Sequence, residues 1–157
     1  MTNLVTLENL PKHVPPETVE HMTALWRDLP TTPLANQIER DVLMTQCAAL
    51  KTPATSQWIA GRVATMLAQY FTGNLPEQMV EAIADDWNQE LKGLPAWAVA
   101  MAVRWWMGKE NKNRHRKPLP GDIAQRANVE MWRVKIAEVA VNNYDRYGPN
   151  LPPYLRK

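Results

Sequence analysis

Between Lys109 and Lys117 the chain reads KENKNRHRK, and residues of these types suit one chemistry, the gripping of an anion. Lys109, Lys112, Arg114, His115, Arg116 and Lys117 crowd together there, opposed only by Glu110. Arginine offers a planar fork of donors that matches two phosphate oxygens, and lysine offers a point charge. Pro118 and Pro120 follow at once and open a helical pattern. The free amides and dipole of a helix start favour the same sign of ligand. Binding through several phosphates would weaken steeply with salt, with a slope of about −0.9 per contact on duplex DNA. Trp132 and Arg133 lie further along, where a ring could stack on the bases of a single strand. These six basic side chains are the expected nucleic-acid-binding residues.

Two other groups are candidates for contact with a protein. Glu81, Asp85, Asp86 and Glu90 share the outer side of one helical pattern, and Glu81 and Asp85 are suited to a basic partner. Asp85 and Asp86 diverge by about 100° on a helix, which is wrong for a paired general acid and base. Trp105 and Trp106 diverge likewise, so one can pack inward while the other stays near the surface as a contact for a partner. Trp58 and the pair Tyr70-Phe71 are further aromatic candidates.

Catalysis has no comparable signature. Cys47 falls mid-helix on an apolar side, with no histidine near it in sequence, and reads as a buried thiol. His13, His21, Cys47 and His115 lack metal-ligand spacing, and no phosphate-cradling or nucleophile-elbow motif occurs. The expectation is a non-enzyme without metal or cofactor.

Helices must hold these groups in place. The apolar positions Val19, Met22, Trp26 and Leu29 follow Pro15-Pro16 at helical spacing and predict a first helix to about Leu29. A second is predicted from near Pro33 to Leu50, with Leu34, Ile38, Val42, Cys47 and Leu50 along one side. Thr55 or Ser56 caps a third, in which Gly61 would allow a close helix contact. Asn74 is placed to cap a fourth, whose inner face is Met79, Val80, Ile83, Trp87 and Leu91, and Gly93 suits the left-handed position past its end. The fifth, about Pro95 to Met107, is apolar nearly all round and should be central. The sixth carries Ile123, Ala127, Val134 and Val141 on its packing face.

No stretch alternates apolar and polar residues as a strand would. The expected fold is therefore all-α, a compact bundle of five or six helices over residues 15–147. Residues 1–14 form an arm and residues 148–157 an extended tail. The 157 residues make one ordinary domain. Charge is polarised: residues 1–103 hold 6 Lys or Arg against 11 Asp or Glu, and residues 104–157 hold 12 against 5. A single cysteine fits a reducing compartment, no apolar run is long enough for a membrane span, and the first residues lack a signal-peptide pattern. The cytoplasm is the expected location.

The run from YFTGNLPEQMVEAIADDWNQELKGLPAWAVAMAVRWWM to RKPLPGDIAQRA resembles small phage and prophage replication proteins, most nearly the helical domain of phage helicase loaders. Tyr70, Trp87, Leu91, Val99, Ala102, Val103, Pro118, Pro120 and Ile123 carry the resemblance. It implies binding to a replicative helicase, or another host replication protein, and recruitment to an origin on DNA. Two other classes fit the same residues. One is a phage inhibitor that meets a host enzyme through the acidic or tryptophan-rich face. The other is a structural helical protein that self-associates through exposed Trp and Met.

Overall fold

The computed structural model describes residues 16–70 and 76–156. Its helices are α1 (Pro16–Arg27), α2 (Gln37–Leu50), α3 (Ser56–Leu67), α4 (Glu77–Leu91), α5 (Ala96–Met107) and α6 (Pro120–Tyr147). The fold is an all-α bundle, with no strand among the described residues. Consecutive helices pair as α1 with α2, α3 with α4 and α5 with α6. The α5–α6 pair is the middle of the molecule: α5 also touches α1 and α3, and α6 also touches α2 and α4.

The amino acids of α5 explain its place. Ala96, Trp97, Ala98, Val99, Ala102, Val103 and Trp106 are all buried. Ala98 and Ala102 have no exposed surface, so neighbouring helices approach closely, while Trp97 fills the space between. Three helices can pack around α5 because, Arg104 aside, it is apolar on every side.

Polar bonds then fix how the pairs join. The Trp97 indole donates to the Leu50 carbonyl at 2.7 Å, satisfying an orphan group at the end of α2. The Trp26 indole donates to the Glu130 carbonyl at 2.9 Å and ties α1 to α6. The Ala54 amide donates to the Leu94 carbonyl at 2.8 Å, joining the turns that precede α3 and α5. On the surface, Arg40 grips Asp145 and Lys51 grips Glu138, both between α2 and α6. Asp145 lowers its carboxyl pKa by hydrogen bonding to Arg40.

Several boundaries differ from expectation for local reasons. The second helix starts at Gln37, not near Pro33, because Asn36 caps it by accepting from the Glu39 amide at 2.9 Å. Its buried face is Leu43, Cys47 and Leu50, whereas Ile38 and Val42 point to water. On α4, Trp87 and Leu91 are buried but Met79 and Val80 are half exposed. Pro76 stands at the α4 cap position without a side-chain bond, and Asn74 lies outside the described residues. Thr55 caps α3 as expected. A Cβ on Gly61 would meet nothing, so no close contact depends on that glycine. Gly93 has φ of 88°, the left-handed region a side chain disfavours. The tail is not wholly extended: Pro153–Leu155 form a 3-10 turn, and Arg156 donates to the Leu151 carbonyl. The arm, residues 1–14, lies outside the described residues.

The two faces of α2 give a direct comparison. Leu50→Ala should lower the unfolding free energy in urea by about 2–5 kcal/mol. Ile38→Ala, at a position 76% exposed, should change it by less than about 0.5 kcal/mol.

Candidate nucleic-acid interface

The basic segment between α5 and α6 is a series of tight turns. The Asn111 amide donates to the Gly108 carbonyl at 3.1 Å, Arg114 to Asn111 at 3.2 Å and Arg116 to Asn113 at 2.9 Å. The side chain of Asn111 is buried beneath them, only 4% of the residue being exposed. Its amide donates to the Trp106 carbonyl at 2.8 Å, and its oxygen accepts from the Asn113 amide at 3.0 Å. A buried asparagine satisfied on both ends holds the first turn against the end of α5.

Two aromatic donors hold the rest. The Trp106 indole donates to the Arg116 carbonyl at 3.1 Å, and the Tyr70 hydroxyl donates to the Arg114 carbonyl at 3.0 Å. With its backbone fixed from beneath, the loop turns its side chains outward. Lys109, Lys112, Arg114, His115, Arg116 and Lys117 are all exposed. Arg116 lies over the Trp106 ring at 5.1 Å and reaches Asp122 at 3.4 Å. Among the described residues, no carboxylate pairs with Lys109, Lys112 or Arg114.

The start of α6 does not add to this site as the sequence suggests. Asp122 occupies it: its Oδ2 accepts from the Leu119 amide at 2.8 Å. Pro120 brings no amide, and a carboxylate already stands where an anion would. The amides of Asn111, Asn113, Arg114 and Arg116 are likewise used within the loop's own turns. A ligand anion would meet the exposed basic side chains.

A second basic feature adjoins the loop. Arg62 on α3 and Arg104 on α5 line a cleft of about 320 Å³, with Thr65, Gln69 and, at its end, Gly108. The Nε of Arg62 is buried without a hydrogen-bond partner. Burial pulls the Arg62 pKa below its ordinary value, and the like charge of Arg104 pulls the same way. Among the described residues, neither arginine has a carboxylate partner. Arg104 also borders a second cleft of about 310 Å³ shared with Arg27 and Thr23 of α1. Sequence reading missed this pair because its members stand on different helices, each isolated in an apolar pattern.

The expected partner contacts divide. Trp106 is 4% exposed and Trp58 7%, so both serve the core. Trp105 is partly buried, its ring covered by Arg126 at 4.5 Å, and Arg126 pairs with Glu130. Glu81 and Asp85 are exposed, as are Asp86 and Glu90. Trp132, 62% exposed, is the tryptophan that faces water. Cys47 is buried, and burial raises its thiol pKa. Phe71 and His13 lie outside the described residues. Among the described residues no cluster of three His, Cys, Asp or Glu could hold a metal ion.

No family model matches this chain, and neither curated proteins nor solved structures give a match.

Asn111→Ala removes two bonds beneath the loop while leaving every charge in place. Amide hydrogen exchange at Asn113 and Arg114 should speed up by about tenfold or more, consistent with the roughly 1–3 kcal/mol of a lost buried bond. Exchange in the middle of α5 should stay unchanged.

Proposed function

We propose that this chain is a non-enzymatic accessory protein of DNA replication, of the helicase-loader type found in phages, that contacts nucleic acid through the 109–117 loop. The observation that carries the reading is a loop, hydrogen-bonded from beneath, whose Lys109, Lys112 and Arg114 are exposed and form no ion pair among the described residues. Cations held apart from their own acids and fixed in direction are set to meet a polyanion. Arg62 and Arg104 add two further cations in a cleft that reaches Gly108, at the start of the loop. The second half of the function is a protein partner, a replicative helicase or another host replication protein, met by an exposed helical face. The proposed location is the cytoplasm; no helix among the described residues is long and apolar enough to cross a membrane.

A different class is favoured by the acidic side of α4. Glu81, Asp85, Asp86 and Glu90 are exposed and form no ion pair among the described residues. That surface suits a phage inhibitor docking on a basic patch of a host enzyme, without nucleic acid.

Fluorescence anisotropy with labelled single-stranded and duplex DNA separates the two readings. The chain should bind, and raising salt from 50 to 200 mM should weaken it about tenfold if two to three phosphates are neutralised. Changing Arg114, Arg116 and Lys117 together to Ala should weaken binding by about tenfold or more and flatten the salt slope. Arg62→Ala with Arg104→Ala should weaken it less. Absence of binding at low salt, or full affinity in the triple variant, removes the nucleic-acid reading. Capture of a host enzyme lost on Glu81→Lys with Asp85→Lys would then support the inhibitor.

A further inference from the structure

Helix α6 is apolar on two sides, and the bundle uses only one of them. Ile123, Ala127, Val134, Ala137 and Val141 are buried against α5, α2 and α4. On the far side Val129, Trp132, Ile136 and Val139 are 53%, 62%, 55% and 54% exposed. Their spacing of three, four and three residues is that of a coiled-coil seam. Apolar residues on opposite sides of one helix explain why it has almost no amphipathic asymmetry. A tryptophan and three β-branched residues leave roughly 400 Å² of apolar surface in one stripe, enough to mark a contact site.

We propose that this seam pairs with the same seam of a second copy of the chain, antiparallel, about a two-fold axis passing beside Val134. The order of residues along the seam selects that occupant and that direction. Extended in both directions, the seam reads Asp122, Gln125, Val129, Trp132, Ile136, Val139, Asn143 and Arg146. Reversed about Val134 it matches itself. Val129 meets Val139, Trp132 meets Ile136, Gln125 meets Asn143, and Asp122 meets Arg146. An apolar centre is thus closed at both ends by an amide pair and an opposite-charge pair. A parallel pair would set Asp122 against Asp122, Arg146 against Arg146 and Trp132 against Trp132.

The side chains are available for this. Both described contacts of Asp122 use Oδ2, so Oδ1 can accept from Arg146 of the second copy. Arg146 is exposed, lying over its own Tyr147 ring at 5.3 Å. Asn128 and Asn142 flank the seam without charge. Lys135 flanks its centre, where a flexible stem lets the ammonium stay in water. Arg133 on the other flank is drawn back over Trp26 at 5.1 Å. With the flanking stems included, the contact approaches the roughly 800 Å² per partner of a stable interface. The pairing stands apart from the nucleic-acid reading. It would place the two starts of α6, each beside a basic loop, roughly 40 Å apart at opposite ends of the paired helices.

Sedimentation velocity between about 1 and 200 µM tests the association. The chain should pass from monomer to dimer, and Trp132→Glu or Ile136→Lys should raise the dissociation constant at least about 100-fold with helix content unchanged. Direction is tested by disulfide formation: Val129→Cys protein mixed with Val139→Cys protein should cross-link, while either alone should not. Buried Cys47 does not compete. A monomer at every concentration overturns the proposal. So does a dimer indifferent to Trp132→Glu, or cross-linking in one variant alone as fast as in the mixture.

Discussion

A tryptophan buried in a helical bundle brings one polar atom that must find an acceptor, and this fold is organised around three such atoms. Trp97 gives its indole hydrogen to the last carbonyl of α2, Trp26 gives its own to α6, and Trp106 gives its own to the basic loop. An unmade bond at any of them would cost about 1–3 kcal/mol. The ring supplies apolar contact and the indole N–H fixes the register of a neighbour. Phenylalanine supplies only the first, which fits its near absence from a chain with seven tryptophans. The loop is therefore an extension of the core rather than an appendage to it.

That attachment changes what the charges can do. A floppy cationic loop would have to lose conformational freedom on meeting a ligand, about 1–2 kcal/mol for each residue ordered. Here Asn111, Trp106 and Tyr70 fix the backbone before any ligand arrives. Hydrogen bonds within and beneath the loop use the amides and carbonyls of Asn111, Asn113, Arg114 and Arg116, and its basic side chains face outward. Asp122 anchors the far end and neutralises part of Arg116. Lys109, Lys112 and Arg114 form no ion pair among the described residues, where most carboxylates stand on α2, on α4 and along α6.

Much of the fold was legible in the amino acids, and the misreadings share a cause. The all-round apolar character of α5 identified the central helix, and Gly93 and Thr55 marked helix ends through local chemistry that needs no tertiary context. Ile38 and Val42 were misplaced because α2 has apolar residues on two sides, and periodicity cannot say which side meets the bundle. The same ambiguity hid the outer seam of α6 behind its inner face. The basic loop was legible as a composition, but its rigidity was not. That depends on Asn111, one polar residue among several, and on Tyr70, some forty residues earlier. Arg62 and Arg104 left no signal at all, since only the packing of α3 on α5 brings them to one cleft.

If the loop acts as a preformed surface, its shape must matter as well as its charge. Trp106→Phe separates the two, because it keeps every cation and most of the ring while removing the bond to the Arg116 carbonyl. The direct measurement is the affinity of that variant for single-stranded DNA at low salt, taken where it is fully folded. Affinity should fall several-fold, by about 1 kcal/mol, with the salt slope preserved. Unchanged affinity, together with faster amide exchange in the loop, would show that charge alone suffices and would contradict a preorganised site.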